Sequence, residues 1–151
     1  MADTIREQII QAIITRAETL RVANGYNTEC GEGVERAMKN LEPGDLPAIV
    51  VWPQPEEAER RSGKNICTTQ IKLETYMEFG SANPSVVQEQ MLGDLIKCVT
   101  DPAAPVTPLA DDIFYKEGGP AGQPEAGESI TAVVATFEIK YSYKIGNPYE
   151  Q

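Results

Sequence analysis

The sequence predicts an α+β fold: a mixed, mainly antiparallel sheet with two helices packed on one face. Two observations carry this expectation. Residues 3–24 and 83–101 place apolar side chains at the three- and four-residue spacing of amphipathic helices. Residues 66–79 and 129–145 alternate apolar and polar side chains, as strands with one buried face do. With 151 residues and 41% apolar content, one domain can hold a core without disulfide staples.

In the first helix, Ile5, Ile9, Ile13, Ala17 and Leu20 form the apolar stripe and Ile10 widens it. Thr4 and Glu7 have capping-box spacing, Asp3 is a competing cap, and Gly25 supplies the left-handed residue that ends the helix. Residues 25–36 read as two short extended pieces around Gly31 and Gly33, and LEPGDLP at 41–47 reads as a turn. AIVVW, from Ala48 to Trp52, is apolar on both faces, as a central strand is. Pro53 and Pro55 are expected to stop it, which leaves 53–65 as a protruding hairpin connection.

The strand at 66–79 directs Cys67, Thr69, Ile71, Leu73, Thr75, Met77 and Phe79 inward, and Gln70, Lys72, Glu74 and Glu78 outward. Asn83 caps the second helix with Pro84 at its first position, and Val87, Met91, Leu95, Ile96 and Val99 are its stripe. Gly93 costs this helix about 1 kcal/mol relative to alanine. Its presence is therefore expected to mark close packing on the sheet. Asp101-Pro102 ends the helix, 103–110 is a proline-rich connector, and 112–116 is a short strand. The segment EGGPAGQPEAGE at 117–128 has little to bury and is expected to be a mobile loop. The last strand turns Val133, Ala135, Phe137, Ile139, Tyr141, Tyr143 and Ile145 to one side, and 146–151 is a tail.

The net charge is −10 and there is no histidine. An acidic chain is poorly suited to grip phosphates, but it suits a wall past which DNA slides without sticking. The missing histidine removes the commonest general base and metal ligand. Three cysteines at wide, unequal spacing fit neither a disulfide framework nor a zinc site, and read as reduced, packed thiols. The longest apolar run is too short to span a bilayer, and the charged opening MADTIREQ does not read as a secretory signal. No nucleotide-binding loop, nucleophile elbow or HExxH motif is present. Neither cofactor nor metal is expected, and the chain does not read as an enzyme.

Three groups remain as candidate sites. Glu56, Glu57 and Glu59 beside Arg60, Arg61 and Lys64 form either a solvated hairpin tip or a contact that sets register between subunits. Glu29, Glu32 and Glu35 make an acidic run that reads as a solvated or lumen-facing surface. Calcium loops instead carry Asp and Asn closed by a Glu. Tyr141 and Tyr143 share a strand face and either extend the core or meet a neighbour.

The stretch from 25 to 52, GYNTECGEGVERAMKNLEPGDLPAIVVW, carries a family signal rather than chemistry. TIREQIIQAIITR, GYNTECGEG, LPAIVVW, EEAE and NPSVVQEQMLGDLI occur in an order and spacing that resemble the small tail terminator proteins of tailed bacteriophages. The resemblance covers most of residues 3–100. The C-terminal third is similar in pattern only, and 117–128 has no counterpart. It implies an α+β subunit of a homohexameric ring in the virion tail, assembled in the host cytoplasm. Such a ring caps the tail tube, stops its elongation and meets the head-side connector or stopper protein, while DNA passes through the lumen without specific binding. Six copies would total about −60. A different neck ring, for head closure or tail completion, is the alternative within structural proteins. A small carboxylate-using enzyme or a ligand-binding domain is the alternative outside them.

Overall fold

The computed structural model describes residues 1–37, 40–122 and 127–151. Helix α1 spans Ile5–Ala17 and helix α2 spans Pro84–Thr100. The strands are β1 (Val34–Arg36), β2 (Ala48–Arg61), β3 (Lys64–Glu78), β4 (Ala110–Pro120) and β5 (Ile130–Lys144). They form one sheet in the order β1-β2-β3-β5-β4, antiparallel throughout except for the parallel β1–β2 pair. This is the expected α+β architecture. α1 lies over β2, α2 lies over β4 and β5, and the helices touch each other on that one face.

Both helix starts follow their sequence signals. Thr4 accepts a hydrogen bond from the Glu7 N–H at 3.0 Å, and Asn83 accepts one from the Ser85 N–H at 2.9 Å, with Pro84 behind it. Glu7 does not reach back to close a box; its carboxylate takes Arg36 at 2.7 Å and Gln11 at 2.9 Å. The first helix is shorter than its periodicity implies. It stops at Ala17, and Val22–Asn24 is a separate 3₁₀ turn, which Gly25 ends at φ +92°. Tertiary donors collect the freed carbonyls: Gly31 N–H reaches Leu20 O at 2.8 Å, and Asn24 Nδ2 reaches Thr19 O at 2.8 Å.

The core lies between the helices and one sheet face. Ile9, Ile13, Leu20, Ile49, Val51, Ile71, Leu73, Met91, Leu95, Phe137 and Ile139 are all buried there. The register sets this face. Ile49 lies opposite Thr75, Val51 opposite Leu73, Ile71 opposite Phe137, and Thr69 opposite Ile139. All of these turn toward the helices, because facing residues in a ladder share a side.

Several sequence expectations are corrected. The prolines do not end β2. A one-residue register shift between Pro53 and Glu56 absorbs them, and β1 reaches only as far as Val51, so their missing N–H groups oppose no strand. Residues 53–65 are therefore not a loop. They are strand arms joined by Ser62-Gly63, both at positive φ as a tight two-residue hairpin turn requires. β3 is also paired with β5 down to Lys64–Lys144, so the hairpin continues the sheet instead of projecting alone. Residues 25–36 hold a 3₁₀ turn at Cys30–Glu32 and a single three-residue strand. Gly93 is not a packing site: a Cβ there would meet nothing within 4 Å. Glu117–Pro120 belongs to β4, so the first part of the expected mobile loop is strand, while 123–126 lies outside the described residues. The tail folds back: the Pro148 carbonyl accepts from Ile5 N–H at 2.8 Å, and Lys144 N–H reaches Glu150 O at 2.8 Å.

Candidate interaction surface

The helices leave the second sheet face uncovered. Strand alternation and register assign it Val50 and Trp52 on β2, Glu74 and Tyr76 on β3, and Ile130 and Ala132 on β5. This end is largely apolar. The segment ahead of β2, which includes a 3₁₀ turn at Pro43–Asp45, folds beside it. Together they form a groove of about 310 Å³ lined by Leu41, Leu46, Val50, Trp52, Tyr76 and Ile130, with Glu42 and Glu74 at its edge. Trp52 and Tyr76 are only half-buried, and the Trp52 indole N–H has no acceptor among the described residues. Tyr76 donates its hydroxyl hydrogen to the Glu74 carboxylate. Burial, and secondarily that carboxylate, push the phenol up to about 12. A second acidic hollow adjoins the groove, lined by Glu32, Glu35, Asp45 and Leu46.

At the opposite end the same face is basic. Arg61 lies opposite Lys64 across the hairpin, and Lys64 lies opposite Lys144 on β5. Like charges facing each other in a ladder are destabilising. Arg61 is relieved by Glu59 at 3.1 Å and Lys144 by Glu150 at 2.9 Å, both in exposed pairs. Between the two ends, Lys116 pairs with Glu138 at 3.9 Å and Lys140 sits 5.8 Å from the Phe114 ring.

The expected site residues separate onto different surfaces. Strand alternation divides the charged hairpin group, and the register shift decides which members face the helices. Glu56 turns to the helix side, where Arg6 of α1 holds it at 3.4 Å. Glu57, Glu59 and Arg61 turn to the uncovered side, and Arg60 to the helix side beyond the helices. Tyr141 is 1% exposed and belongs to the core, so it drops out as a surface contact of the folded chain. Tyr143 is half-buried beside it, with ring centroids 6.4 Å apart.

Of the acidic run, only Glu35 shares the uncovered face, by its register with Val50. Glu29 turns back to Arg21 at 2.5 Å and to the Val22 N–H, and these bonds hold its carboxyl below the usual carboxylate range. Glu32 lies 3.7 Å from the same arginine. All three thiols are buried, and desolvation pushes Cys30 and Cys67 up to about 11, which favours packing over nucleophilic chemistry. Among the described residues, no group of three His, Cys, Asp or Glu is placed to hold a metal ion. None of the helices among them is long and apolar enough to cross a membrane.

The groove itself is invisible to a search for charge clusters. Its signals were Tyr76 on the mostly polar side of β3, and Val50 and Trp52 on the side of AIVVW that points away from the core. No family model matches this chain, and no curated protein matches its sequence.

Proposed function

We propose that the chain is a structural ring subunit of a phage tail: a tail terminator that caps the tube, stops its elongation and meets the head-side connector. One observation carries this reading. The sheet has long strands covered by helices on one face only, and the other face keeps half-buried Trp52, Tyr76 and Ile130 around buried Val50, in a groove beside carboxylates without a cationic partner among the described residues. An apolar strip with a polar rim is the make-up of a protein contact. The α+β order of elements agrees with the resemblance carried by GYNTECGEG, LPAIVVW and NPSVVQEQMLGDLI. In this reading the chain has no catalytic task, and the acidic balance lets DNA pass unheld.

Electron microscopy of the purified chain mixed with tail tubes tests it. The expected image is a ring seated on one tube end, with tubes failing to extend from capped ends. Tubes that elongate normally in saturating protein would remove the terminator reading. Normal-length tails beside unattached heads, in particles assembled without the chain, would move the function to head closure.

A further inference from the structure

The two ends of the uncovered face are chemical complements. The groove has an aromatic wall, Trp52 and Tyr76, and carboxylates at its edge, Glu42 and Glu74, with Glu35 and Asp45 in the adjoining hollow. Among the described residues, none of these four carboxylates has a cationic partner. An aromatic face bordered by carboxylates suits a guanidinium or ammonium group: the ring accepts the cation, the apolar wall takes the methylene stem, and the carboxylates complete the pair. At the far end, the hairpin turn carries Arg60, Arg61 and Lys64 within five residues. Arg60 and Lys64 also have no anionic partner among the described residues, and Arg61 has only the exposed Glu59. An exposed pair of that kind contributes little and is readily exchanged.

The hairpin turn of a chain cannot reach that chain's own groove. Arg61 lies eleven residues beyond Val50 along β2, about 36 Å of extended backbone in a paired sheet. We propose that the groove receives the Arg60–Lys64 hairpin turn of a second copy of this chain. The contact is head-to-tail: each copy offers a basic turn to one neighbour and an acidic aromatic groove to the other. A heterologous contact of this kind closes into a ring when its rotation allows. The inference rests on the ring reading above and names the surfaces that would build the ring.

The test uses the full chain and two variants of it, after circular dichroism has shown that each variant keeps the parent's spectrum. The first variant joins Arg60→Glu, Arg61→Glu and Lys64→Glu; the second joins Glu42→Lys and Glu74→Lys. Sedimentation equilibrium up to about 1 mM, near the weak limit of specific affinity, measures self-association. The emission of Trp52, the single tryptophan, reports on the groove. Each variant alone should associate at least about tenfold more weakly than the parent, and an equimolar mixture of the two should recover association. A parent that stays monomeric throughout, variants within about twofold of the parent, or a mixture that fails to recover would each overturn the contact. Rings on tube ends formed as well by the turn-reversed chain as by the parent would overturn this contact while leaving the ring reading intact.

Discussion

Asp94 explains why the segment that begins at Gly25 has its shape. It is 2% exposed on α2, yet its carboxylate is fully engaged. It accepts from the Asn27 N–H at 3.1 Å, the Thr28 N–H at 2.9 Å, the Thr28 hydroxyl at 2.8 Å and Asn27 Nδ2 at 3.3 Å. A buried carboxylate is tolerable only with such donors, and charge-assisted bonds of this kind are the strong ones. The Asn-Thr of GYNT is thus the socket for a side chain 66 residues away. Nearby, Lys97 reaches the Gly25 carbonyl at 3.2 Å and sits over the Tyr26 ring at 5.0 Å, which adds a second tie between α2 and the same loop. Asp94→Asn removes the charge and sets an amide against N–H donors. It should cost about 2–4 kcal/mol in urea unfolding, through loosening of this loop. A change under about 0.5 kcal/mol would mean the network is dispensable.

Glycines at two positions within these elements have opposite consequences. A Cβ on Gly31 would come within 2.5 Å of the Ala17 carbonyl oxygen and 2.8 Å of the Leu20 backbone, where nothing can swing aside. Close approach of the loop to the end of α1 is what this glycine provides, and the Gly31 N–H uses that approach to bond Leu20 O. Gly31→Ala should therefore destabilise by about 2–3 kcal/mol. Gly93 sits on α2 with open space where a Cβ would go, so Gly93→Ala should stabilise by about 0.5–1 kcal/mol. Thermal midpoints of the two variants should move in opposite directions; a loss of stability at position 93 would contradict the open-space account. The sequence invited the reverse emphasis, because a glycine inside a helix attracts notice and one among turn residues does not. Strand β2 is the other misreading at this scale. Two prolines end a strand when their N–H groups are needed by a neighbour, but the pairing of β1 with β2 ends at Val51, so nothing needed them.

In the whole molecule, both chain ends meet at one corner. Pro148 O satisfies the first N–H of α1, Lys144 pairs with Glu150, and Gln151 Nε2 reaches the Leu109 carbonyl at 2.6 Å. Removing residues 146–151 should lower unfolding free energy by about 1–2 kcal/mol and speed amide exchange in the first turn of α1. Unchanged exchange at Ile5 would show that the tail contributes nothing to that helix. The sequence by itself determined the two helices, the two long alternating strands, the central apolar strand and hence the α+β class. Those depend on periodicity and capping, which are local. It also marked the charged residues at 56–64 as surface. Only the tertiary structure decided which side each of them takes, since one extra residue between Pro53 and Glu56 shifts the register that follows and turns Glu56, rather than Glu57, toward the helices. It likewise placed Tyr141 in the core, gave Asp94 its donors, and brought Leu41, Trp52, Tyr76 and Ile130 from four parts of the chain into one groove. Such groupings are made by strand register and by the folding back of a loop. Both are set by packing between residues distant in sequence, and neither leaves a periodic trace in the order of the amino acids.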